Sequence, residues 1–196
     1  MTKDSKPTAI LEAANKQFRQ YGFKKTSMED IAKQTGISRA SLYSYFNDKD
    51  DIFRAVSAKI HEHALASAES HLNATGKANN LASRIEKALL ARHKPFQDAV
   101  TKSTHGSELF DEYSRLCGDI VANSNSRFQY ILANTMKAAV KTGEIDLKAT
   151  GVTPAAVATI LNLATAGLKH GAQDNATFVK RTKGLVKIFL SGLSTP

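Results

Sequence analysis

The densest run of side chains able to engage a polyanion is Ser38, Arg39, Ala40, Ser41, Tyr43, Ser44 and Tyr45. An arginine bonds the edge of a guanine through two N–H groups, tyrosine hydroxyls reach phosphates, and small residues at the start of such a run permit close approach. Thr26 and Ser27 lie upstream and Lys49 downstream, each placed to add a phosphate contact beside a helix start. The chemistry implied is recognition of double-stranded DNA, with Arg39 reading bases and Tyr43, Tyr45 and Lys49 holding the backbone.

No other set of residues in the chain carries a reaction. A Ser/His/Asp constellation in a recognisable motif, a phosphate-binding glycine loop and a paired-carboxylate signature are all missing from the sequence. No enzymatic activity and no cofactor are expected. His61 and His63 are two apart and point in different directions on a helix, so no metal site is expected of them or of His71. Cys117 stands alone, which rules out an intrachain disulfide and lends no support to an oxidising compartment.

Helices must position the DNA-directed groups, and the pattern supplies them. Ile10, Leu11, Ala14, Phe18 and Tyr21 recur at helical spacing between Pro7 and Gly22, predicting a first helix from about Pro7 to Tyr21. Ser27 caps a short second helix that ends before Gly36, and Ser38 caps a third running from Arg39 to Phe46. Two short capped helices around Gln34-Thr35-Gly36-Ile37 are the outline of a helix-turn-helix. Ile31, Ala32, Ile37 and Leu42 face inward in it, beneath Phe18. Asp48 caps a long fourth helix reaching about Leu72. Further helices are expected at about 81–93, 95–103, 107–117, 119–141, 154–170 and 176–193, with no persistent strand-like alternation. The fold class is all-α with about nine helices.

The motif Gly22-Phe23-(x2)-Thr26-Ser27-(x3)-Ile31-Ala32-(x3)-Gly36-Ile37-Ser38-(x3)-Leu42-Tyr43-(x2)-Phe46-(x2)-Lys49-(x2)-Ile52-Phe53 resembles the signature of the tetracycline-repressor (TetR) family, over roughly residues 7 to 55. The resemblance implies a bacterial, homodimeric repressor whose variable C-terminal body binds a small molecule. It also implies DNA contacts from the residues matching Thr26, Ser38, Arg39, Ala40, Tyr43, Tyr45 and Lys49. Ala40 departs from the glycine of many members, and Tyr45 from a frequent histidine. The expected organisation is a helix-turn-helix DNA-binding domain at 1–54 and a ligand-sensing, dimerising domain at 55–196.

For the body the sequence offers candidates rather than a motif. His93, Phe96, Phe110, Tyr113, Cys117 and Phe128, with His170 among others, mix aromatic and polar groups as a ligand pocket does. The last two helices, about 154–170 and 176–193, carry apolar and small residues including Ala158, Leu161, Gly167, Leu185 and Leu193. They are the expected homodimer contact, which would serve a palindromic operator.

Charge is the weaker clue. The chain of 196 residues has 27 basic and 18 acidic residues and a net charge of +9, but the excess is spread along it. That suits DNA and also suits solubility. With no secretory signal at the start and no apolar run near the ~20 residues of a membrane span, a cytoplasmic protein is expected. Two other readings stay open: a ligand-independent or architectural DNA-binding protein whose body recruits a protein partner, and a small-molecule-binding protein or enzyme with a vestigial DNA module.

Overall fold

The computed structural model describes residues 5–76, 78–169, 172 and 174–193. Its elements among these are nine helices, α1 (Ser5–Tyr21), α2 (Met28–Thr35), α3 (Arg39–Tyr43), α4 (Lys49–Leu72), α5 (Leu81–Thr101), α6 (Gly106–Leu116), α7 (Gly118–Lys141), α8 (Pro154–Gly167) and α9 (Asn175–Ser191). The fold is all-α. Among the described residues no helix is long and apolar enough to cross a membrane.

Local chemistry sets the boundaries. Asp48 accepts the Asp51 N–H at 2.7 Å to start α4, Thr153 accepts that of Ala156 ahead of Pro154 in α8, and Asp174 accepts that of Thr177 in α9. The separate segments expected at 81–93 and 95–103 are one helix, α5, with Pro95 inside it. Pro95 is exposed, so its ring faces away from the core. The helix gives up the one backbone bond proline cannot donate and keeps its packed face on both sides.

The chain divides into two compact units. The first comprises the described residues up to His61 together with Asp98–Ala122. Its core joins Ile10, Phe18, Phe23, Ile31, Leu42 and Phe53, against which Leu109, Tyr113, Leu116 and Ile120 pack. Phe18, Phe23 and Phe53 meet one another with ring centroids 5.1–5.5 Å apart, a spacing at which tilted and edge-on aromatic pairs attract. The second unit comprises Glu62–Gln97 and the described residues from Asn123 onward, with Leu72, Ile85, Leu89, Phe128, Leu132 and Leu161 in its core. The sequence division after residue 54 follows function; the compact units divide elsewhere, because α6 is amphipathic and lays its apolar side on the core of the first helices.

Candidate nucleic-acid interface

The turn between α2 and α3 is held from both ends. Ser27 forms a capping box with Asp30: its hydroxyl accepts the Asp30 N–H at 3.2 Å, and the Asp30 carboxylate accepts the Ser27 N–H at 2.9 Å. Hydrogen bonds from Ser27 hold the Asp30 carboxyl below its ordinary range, keeping a negative charge on the first turn of α2. At the other end Gly36 adopts φ +73°, and the N–H groups of Gly36 and Ile37 donate to the carbonyls of Lys33 and Ala32. That reverse-turn pattern needs a residue without Cβ strain.

The turn presents α3 with Leu42 fully buried and Ser38, Arg39, Ala40, Tyr43 and Ser44 exposed. Ser38 caps the helix by accepting the Ser41 N–H at 3.1 Å. The Arg39 guanidinium lies 5.5 Å from the Tyr43 ring centroid and donates to the Tyr43 hydroxyl at 3.3 Å, a hydrogen bond that further favours its charged form. One cation and one phenol are thereby pre-arranged on the exposed face. The helix ends at Tyr43, short of the expected Phe46, because the Leu42 carbonyl accepts both the Tyr45 and Phe46 N–H groups as the chain turns.

Three of the anticipated contact residues occupy a different setting. Thr26 is buried and its hydroxyl donates to the Gly22 carbonyl at 2.7 Å. Lys49 donates to the carbonyls of Phe23 and Thr26 at 2.7 and 2.9 Å, with its ammonium 4.3 Å from the Phe23 ring centroid. Tyr45 is half-buried against the core of the first unit. Thr26 and Lys49 therefore brace the α1–α2 loop, and the outward face narrows to Ser38, Arg39, Ala40 and Tyr43, with Ser27 at the start of α2.

A brace on the same loop was not legible from the motif. The Glu108 carboxylate, on α6, accepts the Lys24 N–H at 2.7 Å, and Ser103 donates to the Arg19 carbonyl at 2.9 Å. Gly22 sits beneath this contact at φ +86°, where an added Cβ would collide with the Glu108 carboxylate. Arg54 anchors the end of α6 and the start of α7 by bonding the Leu116 carbonyl and both oxygens of Asp119. This pairing holds the Asp119 carboxyl down to about 2.

The body candidates fall into both units. In the first, Cys117 is fully buried in the core, where burial raises its thiol pKa; Tyr113 stacks on His61 and shares a hydrogen bond with it; and Phe110 is exposed. In the second, His93 is buried, bonds the Asn162 side chain at 3.0 Å and meets Phe128 edge-on at 6.4 Å. Phe96 lies beside the Arg92 guanidinium, 5.5 Å from ring centroid to carbon. His170 lies outside the described residues. Of the anticipated dimer contacts, Ala158, Leu161 and Leu193 are buried within the second unit. The exposed apolar side chains on α8 and α9 are instead Ile160, Leu163 and Ile188, at 46, 65 and 77% exposure.

Residues 10–56 match the family model described as bacterial regulatory proteins, tetR family. The first 54-residue match among curated proteins is 39% identical to the HTH-type transcriptional regulator YfiR of Bacillus subtilis, covering 28% of this chain and 26% of that protein. The chain thus spans about a quarter of that relative's length. A longer match, 25% identical over 150 residues, covers 73% of this chain and 71% of the HTH-type transcriptional regulator TtgR of Pseudomonas putida. Among solved structures, SmeT, the repressor of the Stenotrophomonas maltophilia multidrug efflux pump SmeDEF, superposes with a TM-score of 0.68 at 18% identity over 96% of this chain and 90% of its own. A SmeT–triclosan complex matches equally well, with a TM-score of 0.68 at 17% identity over 97% and 92% of the two chains.

Proposed function

The chain belongs to the tetR family of bacterial regulatory proteins through residues 10–56, and from that premise we propose that it is a homodimeric, cytoplasmic transcriptional repressor released from a palindromic operator by a small molecule. The observation that carries the reading is the exposed face of α3, where a stacked Arg39–Tyr43 pair stands beside the small residues Ser38 and Ala40. Arg39 reads a guanine edge and Tyr43 reaches the phosphate alongside it. Lys49 contributes through the loop it braces, with at most its remaining N–H directed outward.

Two copies are required because a two-fold site presents successive major grooves about 34 Å apart. Ile160, Leu163 and Ile188 supply an exposed apolar surface on the last two helices for that pairing. Effector release is supported by the neighbour SmeT, whose complex with triclosan shares the fold. Shifting a population from 99% DNA-competent to 99% incompetent needs about 5.5 kcal/mol of differential ligand binding. The protein acts by binding, without a catalytic step.

The test is selection of bound genomic fragments by the purified protein, comparing the wild type with an Arg39→Ala/Tyr43→Ala double variant whose Lys49 brace is intact. A short palindrome enriched by the wild type and lost by the variant is expected. Equal enrichment by both would remove α3 from the reading role.

A further inference from the structure

Unit two contains a positively charged corner built from three helices and the residue just beyond one of them. On α5, Arg92 is only 3% exposed, and its guanidinium donates to Asn125 of α7 at 2.7 Å. It also lies 5.5 and 5.9 Å from the ring centroids of Phe96 and Phe128. His93, next in sequence, is fixed by Asn162 of α8 at 3.0 Å. Lys169, just past α8, completes the group electrostatically. Burial, then Lys169 and Arg92, hold the His93 imidazole down to about 3, while burial and Arg92 hold the Lys169 ammonium down to about 8. The charges acting on His93 are thus both positive.

Cations that are withdrawn from water and repel one another are a standing destabilisation unless an anion joins them. A second, independent feature points the same way. Ser124 lies on α7 one turn before Phe128 and so on the same face, and its hydroxyl is buried with no hydrogen-bond partner among the described residues. Buried hydroxyls ordinarily find a partner. The neighbouring Phe96 and Phe128 rings offer flat apolar surface.

We propose that this α5–α7–α8 corner binds an organic anion, a carboxylate or phosphate head neutralised by Arg92 and Lys169 and carrying a flat apolar group that lies on Phe96 and Phe128. Ser124 donates to the head. The inference rests on the effector reading above and names the chemical class of its ligand.

The probes are 2-naphthoate, 2-naphthyl phosphate and the neutral 2-naphthamide, titrated by calorimetry into the full-length wild type and Lys169→Gln. At least one anion should bind, the amide should bind at least about tenfold more weakly, and Lys169→Gln should lose about tenfold for the anion alone. The stronger anion identifies the head group. Because Lys169→Gln relieves repulsion, the variant should be no less stable than the wild type, which a urea titration checks. A Lys169 Cε resonance that moves with the anion and not with the amide supplies a readout in the unaltered protein. Failure of both anions to bind, equal binding of the amide, or an unchanged affinity in Lys169→Gln would overturn the proposal. Operator binding, measured in the same samples, separates the two readings. An anion that binds here without altering operator affinity refutes the effector role of the site and leaves the anion site standing. Operator release by the amide as effective as that by the anions refutes the anion specificity and leaves effector release standing.

Discussion

Replacing His93 by glutamine removes a buried imidazole that the folded protein keeps neutral, and the consequence is an altered response of stability to acid. In the fold its pKa is held down to about 3 from 6.5, first by burial and then by Lys169 and Arg92. Above pH 6.5 neither the folded nor the unfolded state carries the proton and the group contributes no pH dependence. As pH falls from 6.5 towards 3 the unfolded chain takes up a proton that the folded chain refuses, so stability is lost over that window. By linkage the loss is about 2 kcal/mol at pH 5, and it changes little for any folded value below about 4. Glutamine retains a hydrogen-bonding group towards Asn162 but has nothing to titrate. Urea unfolding at pH 7 and pH 5 should therefore show the wild type losing about 2 kcal/mol more than His93→Gln, with the acid response of all other groups common to both. If the two proteins lost stability equally between these pH values, His93 would be solvated or already proton-paired in the fold, and the positive environment assigned to it would be wrong.

Three further outcomes follow from packing. Lys49→Met should lower stability by about 2 kcal/mol, since two carbonyls lose a charged donor; a purely phosphate-directed lysine would leave urea unfolding unchanged and alter only the salt dependence of DNA binding. Gly22→Ala should destabilise more than Gly36→Ala, because both positions have positive φ but only at Gly22 does the new Cβ meet a neighbour, the Glu108 carboxylate; equal effects on urea midpoints would show that Glu108 yields freely. Leu163→Glu/Ile188→Glu should sediment as a monomer and lose palindrome binding without losing its helical circular dichroism; a dimeric variant would place the pairing surface elsewhere.

The DNA-directed half of the site was legible in sequence because its information is local. Ser27, Gly36 and Ser38 are caps and a turn whose roles follow from residues three or four away, and Ile31 and Leu42 follow from helical spacing. Lys49 was misplaced for the converse reason: its partners are backbone carbonyls of Phe23 and Thr26, and no side-chain pattern advertises a carbonyl. The body was less legible. Ala158 and Leu161 look suited to a dimer contact, but apolar residues occur on most sides of α8, and only tertiary packing decides that Ile160 and Leu163 are left outside. One signal was available and went unread. Leu81, Ile85, Ala88, Leu89 and Arg92 form a single helical stripe, so a charged residue stood in a core register.

The backbone amide of Lys24 deserves use as a gauge. Its acceptor is a carboxylate 84 residues away on α6, so its nitrogen-15 resonance and its hydrogen-exchange rate depend on a single long-range bond rather than on local helix formation. Gly22, directly beneath, leaves no room for the carboxylate to be replaced by a side chain of the loop itself. Any displacement of α6 that draws Glu108 away converts a shielded amide into one facing water, and the change is readable at one assigned peak without DNA, crystals or a known effector.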